Sequence, residues 1–593
     1  MEASVSSIRG LIQNGKLLRI PYFQRSYVWG EEDWERFAKD MEATIDSARD
    51  YFLGAVILKN EQQLDGDGAN GIEQRCMVVD GQQRLTTLNI YMKVLFSLAG
   101  KTDDFRFQYL RDTGAQEPVL EHSREDRAMF SMVMNKDVLG KIEDDSSNII
   151  KVYNYFFTRL SQHRENVTYL RSLINTINAH IRFVVITLNF TDDEQQIFDT
   201  INSLGVPLTT CDLVKNFLYG PNDEQAYNDN WKMVFEGTKE TRDFWNTDAS
   251  KSRQAKTKDN TTIERFFHAF VRVKMWDFKN QLTDAQKKNF VKLSHVFSTC
   301  KAFVEDFNMS KQDLANEIIV YAKLFREYLG DDILDNENMP RYGGIKRISC
   351  YINATKQYSV IPYVLYILRN VDSESERNCI FTYLETYLVR RILSESENKS
   401  YSDLFTENLI GNGIRTFEDL KNFISQREDS NLAMPGNGKI KLSINSRKKG
   451  LGESMAKIVL FLYETKLENN TINKSFNDFY AQMLMPKNRN ANQDNWPQHR
   501  RDTNAENERI MLMTTIGNYF LLDSAAKNTL KKMEDERCSI KVGEMRNWSD
   551  SIRSNQILVD TATNNSISEW NSDSIKSRNK GLADIFCNHI WTL

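Results

Sequence analysis

The residues best suited to chemistry form one short polar stretch, Asp80-Gly81-Gln82-Gln83-Arg84. Arg84 carries a planar fork of donors that can bind phosphate oxygens bidentately. Asp80 could hold Mg²⁺ through a carboxylate oxygen or position a water. These residue types point to a phosphate ligand with an accompanying cation. The competing interpretation is a polar turn in which Arg84 pairs with a surface carboxylate.

The flanking residues predict the elements that would position this stretch. Residues 75–79 form a short apolar run that predicts a strand, and apolar residues recur at helical spacing from Leu85 to Leu95. Gly81 permits a tight turn or a close approach of the main chain. A helix N-terminus presents unpaired N–H groups and partial positive charge, which suit a phosphate. We therefore expect a strand–turn–helix whose turn binds phosphate.

Two further stretches accompany this one in the chain. They are Ile20-Pro21-Tyr22-Phe23-Gln24-Arg25-Ser26-Tyr27-Val28-Trp29 and Phe198-Asp199-Thr200-Ile201-Asn202-Ser203-Leu204-Gly205-Val206-Pro207-Leu208, the latter continuing to Asp212-Leu213-Val214-Lys215-Asn216. All three stretches, in this order, resemble motifs of the N-terminal domain of GmrSD-type modification-dependent (type IV) restriction proteins. That domain is ParB/sulfiredoxin-like and is known as a nucleotide-binding and hydrolysing module. The sequence departs from the family at Leu204, where Arg or Lys is usual.

The resemblance implies a nucleoside triphosphate, of unknown base, bound with Mg²⁺. It assigns catalysis to Asp80, Gln83 and Arg84. It assigns nucleotide contacts to Gln24, Arg25, Tyr27, Gly81, Gln82, Thr86, Thr87, Asn202, Asp212 and Lys215. Two alternatives stay open: Tyr27 could be an ordinary core residue, and Asp212 could simply begin a helix.

The last 140 or so residues resemble the family's C-terminal HNH nuclease domain, a ββα element that holds one metal ion. Gln482 stands where the family has an acidic ligand, and Met483 stands where it has the general-base His, while Asn518 and Asn528 occupy the later positions. Met cannot take a proton, and a neutral amide binds Mg²⁺ far more weakly than a carboxylate does. We therefore expect a degenerate site that has lost cleavage. His499 is the alternative base in a domain that still cleaves.

Positive charge gathers in two places near the C-terminus, although the net charge of the chain is −4. The residues that could contact DNA phosphates are Arg447, Lys448, Lys449, Arg500 and Arg501. The segment around Lys439, Lys441 and Arg447 could equally be a solvated loop. A chain with negative net charge must use such local patches, so any DNA binding should weaken steeply with salt.

The length of 593 residues predicts two to four domains. The resemblance, together with the helical patterns that dominate residues 221–430, implies a mostly helical α+β protein with a ParB/sulfiredoxin-like α/β domain at residues 1–220, a helical domain at 221–430 and an HNH-like domain at 431–593. The seven cysteines are scattered and form no Cys-x-x-Cys pair, which favours a reducing cytoplasm and gives no confident metal site. No apolar run is long enough to cross a membrane, and the N-terminus does not resemble a signal peptide. Arg390 and Arg391 are expected to support packing or a domain interface.

Taken together, the resemblance implies an anti-phage defence protein that binds and hydrolyses a nucleoside triphosphate. Its C-terminal domain would bind DNA, including modified phage DNA, or a partner protein. A second subunit would supply nuclease activity, or the chain would form a homo-oligomer. Two alternatives remain: an active metal-dependent DNA endonuclease, and a non-enzymatic nucleotide-gated sensor or scaffold in a defence complex.

Overall fold

The computed structural model describes the chain except residues 1, 13–15, 23, 48, 62–73, 112–115, 123, 145, 189–208, 221–222, 248–260, 343, 428–430, 448, 468–473, 486–502 and 533–569. The chain divides into two compact units, Met1–Lys232 and Met233–Leu593. The mostly helical α+β class is confirmed. The predicted division into three domains stays a prediction. Within the described ranges, no helix combines the length and apolar character needed to cross a membrane.

The first unit contains a mixed six-stranded sheet. Its strands are β1 (Glu2–Ser7), β2 (Lys16–Arg19), β3 (Tyr51–Asn60), β4 (Gln74–Asp80), β5 (Leu120–Glu121) and β6 (Ile181–Leu188). They lie in the order β1-β6-β3-β4-β2-β5. The pairs β1–β6 and β3–β4 are antiparallel, whereas β3–β6, β2–β4 and β2–β5 are parallel. β4 therefore lies inside the sheet, with β3 on one side and β2 on the other.

Helices cover this sheet and supply most of the core. They span Ile8–Ile12, Glu31–Ser47, Gln82–Leu98, Thr102–Tyr109, Arg124–Met134, Asn148–Leu160, Val167–His180, Thr210–Leu218 and Glu224–Ala226, with a 3₁₀ turn at Ser161–His163 and a π-helical turn at Tyr227–Lys232. Helix Gln82–Leu98 is buried on nearly every side, and its buried residues include the polar Thr86, Thr87 and Asn89. Within residues 1–19, the spacing of Val5, Ile8, Leu11 and Ile12 predicts a short amphipathic helix. The helix is present only from Ile8, because the preceding residues form β1.

Two β-bulges interrupt the sheet, one in the pairing of β4 with β3 and one in the pairing of β3 with β6. In β4, Asp80 pairs with Ile57 and Val78 pairs with Leu58, so Val79 is an extra residue. In β3, Leu53 is the extra residue opposite β6, because Phe52 pairs with Arg182 and Gly54 with Phe183. Bulges bend a strand and redirect the side chains that follow.

The bulge in β4 decides which way Asp80 faces. Val78 packs in the main core of the unit, whereas Val79 packs with Ile57 in a smaller cluster on the opposite face. Strict alternation would return Asp80 to the main core after Val79. Because Asp80 pairs with Ile57 instead, its carboxylate lies on the side of the smaller cluster.

In its described residues, the second unit is helical apart from one two-stranded ribbon. Its helices span Met233–Phe235, Lys239–Asn246, Thr262–Lys274, Asp284–Phe290, Val296–Glu305, Lys311–Tyr328, Ile345–Thr355, Ile361–Asn370, Glu374–Leu393, Tyr401–Asp403, Phe417–Ser425, Asn437–Asn445, Glu453–Glu464, Thr503–Met513, Ser524–Lys532 and Ser572–Ile585. Shorter 3₁₀ or π-helical turns lie at Met275–Phe278, Leu293–His295, Asp331–Asp335, Tyr358–Val360, Leu404–Asn408, Phe476–Asp478, Ile516–Asn518 and Phe586–Ile590. The ribbon pairs β7 (Phe479–Met483) antiparallel with β8 (Tyr519–Asp523).

A buried ionic cluster ties the C-terminal residues to helix Glu374–Leu393. Glu385 accepts from Nε and Nη2 of Arg347 at 2.6 and 3.0 Å, and Nζ of Lys466 lies 3.1 Å from its Oε1. The indole of Trp591 donates to the same oxygen at 2.9 Å. One carboxylate thus joins residues that are more than 200 positions apart in the chain, since 591 − 347 = 244.

Arg390 and Arg391, on the same helix, bind main-chain carbonyls. Arg390 donates to the carbonyls of Pro435 and Trp591, and Arg391 donates to that of Asn431 at 2.7 Å. Both side chains are almost fully buried. The expectation that they support packing agrees with these contacts.

Candidate functional site

The predicted strand–turn–helix is present at the central polar stretch. β4 ends at Asp80, Gly81 has φ 97° and ψ 2°, and helix Gln82–Leu98 begins at the next residue. A Cβ on Gly81 would lie 3.0 Å from Cγ2 of Val56, so the turn needs glycine for both its conformation and its space. No side chain caps this 17-residue helix in the described structure. The turn thus has the form of an anion-binding helix N-terminus.

Five charged side chains, here named the charged cluster, gather at this turn: Arg25, Asp80, Arg84, Asp212 and Lys215. Arg84 Nη2 donates to Asp80 Oδ2 at 3.1 Å, and each side chain is about one-quarter exposed, at 24% and 27%. Lys215 is buried, and its Nζ lies 3.6 Å from Asp212 Oδ1.

Arg25 is electrostatically coupled to both acids of the charged cluster. Burial lowers the pKa of Arg25, and the carboxylates of Asp212 and Asp80 act in the opposite direction. The structure therefore brings together residues from all three predicted motifs. Three cations accompany two carboxylates, which favours an anionic ligand.

Gln24 is held at the end of β4 by two adjacent carbonyls. Its Nε2 donates to the oxygens of Val78 and Val79 at 2.8 and 3.1 Å. Consecutive carbonyls of a regular strand point in opposite directions, so the bulge at Val79 makes this double contact possible. The two acceptors fix the orientation of the amide.

The other end of that amide, Gln24 Oε1, is buried without a hydrogen-bond partner in the described structure, as is Oε1 of Gln82. Gln24 is only 8% exposed. An unpaired buried acceptor is costly, and a water bound to Mg²⁺ or a donor group of a ligand would satisfy it. With the carboxylate of Asp80, these oxygens fit the chemistry of a hydrated Mg²⁺ ion.

Gln83 and Tyr27 use their polar groups within the protein. Gln83 Oε1 accepts from the amide of Val28 at 2.9 Å, and its Nε2 donates to the carbonyl of Ser26 at 3.2 Å. The Tyr27 hydroxyl lies 2.6 Å from Thr87 Oγ1 and accepts from the indole of Trp34 at 3.0 Å. With Tyr27 only 4% exposed, the core alternative accounts for its contacts, whereas the predicted catalytic role of Gln83 stays a prediction.

Thr86 contacts a histidine that the sequence did not single out. Its Oγ1 donates to the carbonyl of Gln82 at 2.7 Å and lies 2.8 Å from Nε2 of His122. Burial lowers the pKa of His122 to about 3, so the ring is neutral. Because the Thr86 hydroxyl already donates to Gln82, the tautomer that completes the contact with Thr86 carries its proton on Nε2. Nothing in the spacing of His122 connects it with the polar stretch, because the contact is a product of the tertiary fold.

Asp212 begins a helix, as the alternative interpretation proposed. Its Oδ2 accepts from the hydroxyl of Thr209 at 2.8 Å, and Thr209 Oγ1 accepts from the amide of Asp212 at 3.2 Å. This reciprocal capping box starts helix Thr210–Leu218. The same carboxylate acts on Arg25, so capping and membership of the charged cluster coexist.

The C-terminal ribbon and helix Ser524–Lys532 form a strand–strand–helix element. Asn518 Oδ1 accepts from the amide of Met485 at 2.9 Å and from the indole of Trp570 at 3.0 Å. Its Nδ2 donates to the carbonyls of Met485 and Met513 at 3.0 and 2.8 Å. Asn518 is fully buried. Its side chain therefore holds three main-chain groups and one indole in place within the element.

The other predicted positions of this element carry no acid or base. Gln482 pairs with Phe520 in the ribbon, Met483 is buried, and Asn528 is exposed on helix Ser524–Lys532. In the described ranges, no group of three or more His, Cys, Asp or Glu side chains is arranged to hold a metal ion.

The first basic segment is a helix, Asn437–Asn445, followed by a short irregular stretch. Arg447 is buried, and its guanidinium donates to the carbonyls of Lys449 and Ile392 at 3.2 and 3.0 Å. Arg447 therefore supports the main chain, a correction to its expected place on a phosphate-facing surface. Lys449 is exposed. Asn202, Lys448, His499, Arg500 and Arg501 lie outside the described residues.

Comparison with known protein families gives a match within the first unit. Residues 8–219 match the family model of the GmrSD restriction endonuclease N-terminal domain. This match includes the whole charged cluster and supports a GmrSD-type restriction family. No curated protein matches the sequence.

Proposed function

We propose that this chain is a restriction-type anti-phage protein that binds and hydrolyses a nucleoside triphosphate at the charged cluster. The observation that carries the proposal is the Asp80–Arg84 pair at the uncapped N-terminus of a buried helix. The match of residues 8–219 to the GmrSD N-terminal domain supports the restriction-type context. DNA is the partner expected of such a protein.

Several residues in and beside the charged cluster have distinct roles in this proposal. Arg84 and the first amides of helix Gln82–Leu98 bind phosphate oxygens. Asp80 and Gln24 Oε1 hold Mg²⁺ directly or through its waters, and the bound ion would neutralise phosphate charge. Arg25, from the stretch at residues 20–29, adds positive charge beside Asp80 and Asp212. Gln83 keeps the segment that carries Arg25 in place through its contacts with Ser26 and Val28.

The C-terminal element binds DNA or a partner protein in this proposal and does not cut DNA. Gln482 and Met483 offer neither a carboxylate nor a proton acceptor for water activation. Asn518 has its side-chain groups engaged. Cleavage would then come from a second subunit.

The test is phosphate release from GTP, ATP, CTP and UTP with Mg²⁺, with and without phage DNA. The wild type is compared with Asp80→Ala and with Asp103→Ala, whose side chain is 96% exposed and lies outside the charged cluster. We expect Asp80→Ala to lower turnover by about 10²-fold and Asp103→Ala to leave it unchanged. Equal turnover in Asp80→Ala would remove the chemistry from this site. Binding without turnover in the wild type would favour the nucleotide-gated sensor.

A further inference from the structure

Gly54 lies on β3 directly against the guanidinium of Arg84. Its φ is 122°, a backbone conformation that residues other than glycine rarely adopt. A Cβ at this position would overlap Nη1 of Arg84 and lie 3.1 Å from its Cζ. The guanidinium therefore occupies the space that any other residue would fill with its side chain.

We propose that Gly54 is a positioning residue for the nucleotide site, a role that rests on the proposed function. Arg84 is long and flexible, and holding it in one rotamer costs side-chain entropy. In the described structure its hydrogen bond is with Asp80 alone. The main chain of Gly54 supplies the second constraint, by offering a surface without a side chain on one side of the guanidinium.

The bulge at Leu53 explains how this surface is built. The extra residue shifts the register of β3 against β6 immediately before Gly54. The shift and the positive φ together turn the main chain of Gly54 toward Arg84. A glycine inside an apolar strand is the sequence signal for such a close approach.

A purely structural role for Gly54 makes a different prediction. If glycine were needed only to allow the bulge, replacing it would destabilise the fold whether or not Arg84 were present. If Gly54 positions Arg84, part of the damage must come from the overlap with the guanidinium. That part must disappear when Arg84 is shortened, which a double-mutant cycle measures.

The stability arm of the test needs no ligand. Thermal unfolding is compared for wild type, Gly54→Ala, Arg84→Ala and the double variant. Gly100→Ala is the reference for a glycine with positive φ and open space, because Gly100 has φ 67° and no atom would lie within 4 Å of its Cβ. The double-mutant cycle separates the overlap with Arg84 from the greater backbone strain expected at Gly54. We expect Gly54→Ala to lower Tm more than Gly100→Ala does, and Arg84→Ala to restore part of that loss. If Gly54→Ala fails to fold but the double variant folds, the proposal holds. If both fail, or if the two effects simply add, it is overturned.

The binding arm uses calorimetric titration of the same variants with GTP, ATP, CTP and UTP in the presence of Mg²⁺. We expect Gly54→Ala to weaken binding about 10-fold or more, Gly100→Ala to leave it unchanged, and the double variant to bind no more weakly than Arg84→Ala. A double variant that loses the product of both factors would overturn the positioning role. If the wild type binds none of the four nucleotides, the proposed function fails, while the stability arm still decides whether Gly54 positions Arg84.

Discussion

The replacement Glu385→Gln should strongly destabilise the second unit. The carboxylate faces four donors, because Oε2 accepts from Arg347 Nε and Oε1 accepts from Arg347 Nη2 and the Trp591 indole and lies beside Lys466 Nζ. The glutamine amide would place its NH₂ group against some of these donors, and an NH₂ group cannot accept their hydrogen bonds. It also leaves two buried cations without a counter-ion.

The magnitude follows from burial. Glu385 and Arg347 are fully buried, and Lys466 is 6% exposed, so water cannot replace the lost charge. Removing one member of such a pair costs about 3–5 kcal/mol. Asp584→Asn is the control, because the Lys441–Asp584 pair is 46% and 44% exposed and water screens it; its unfolding midpoint should stay near that of the wild type.

Urea unfolding gives the free-energy difference, and hydrogen exchange of peptides from helix Glu374–Leu393 locates it. A Glu385→Gln variant within about 1 kcal/mol of the wild type would contradict the magnitude expected for a buried pair. Protection lost only outside that helix would show that the cluster is not the cause.

The same cluster sets a pH dependence. Burial alone raises the pKa of Glu385, but the charges of Arg347 and Lys466 outweigh it and bring the pKa down from 4.5 to about 2. A carboxyl whose folded pKa is depressed stabilises the fold above its ordinary pKa and loses that contribution as the pH falls. The wild-type advantage over Glu385→Gln should therefore shrink between pH 4.5 and 2. An advantage that stays constant across this window would refute the ionic origin.

Four other predictions concern single residues. Asn518→Ala leaves several buried partners unpaired and should cost about 3 kcal/mol or more, measured by the urea midpoint. Tyr27→Phe removes the hydroxyl that joins Trp34 and Thr87 and should cost about 1 kcal/mol in the same assay. Gly81→Ala should abolish nucleotide binding in calorimetric titration, because its φ of 97° is unsuited to alanine. Burial lowers the pKa of His122 from 6.5 to about 3, so protonation of this residue favours the unfolded state. The variant His122→Gln should therefore lose less stability than the wild type as the pH falls below 6.5.

Local patterns predicted much of the first unit. The apolar run at 75–79 and the helical spacing after Leu85 gave the strand–turn–helix, which the structure confirms as β4 and helix Gln82–Leu98. The spacing of Trp34, Phe37, Met41 and Ile45 predicts a helix at 31–48, and the structure has it at Glu31–Ser47. Thr209 or Thr210 is predicted to cap a later helix, and Thr209 caps helix Thr210–Leu218. These elements follow from periodicity and capping, which are encoded by neighbouring residues.

Features that depend on distant pairing could not be predicted. The helical spacing of Val5 with Ile8 predicts a helix at Val5, yet this residue pairs with Val184 as part of β1. No local pattern indicates a partner so far along the chain. The bulge at Val79 has no signal in the apolar run at 75–79. Alternation of side chains along the strand therefore could not predict the face on which Asp80 lies. The space beside Gly54 exists only because β3 and helix Gln82–Leu98 meet in three dimensions.

The bulge at Val79 also makes the length of β4 a constraint in its own right. Removal of the extra residue would restore regular pairing, with Asp80 still opposite Ile57 and on the same face of the sheet. The two carbonyls that now bind the Gln24 amide would then no longer point the same way, so Gln24 would lose one of its acceptors. The extra residue therefore serves Gln24 rather than Asp80, and a homologue with a strand one residue shorter should keep its aspartate in place but hold that glutamine differently.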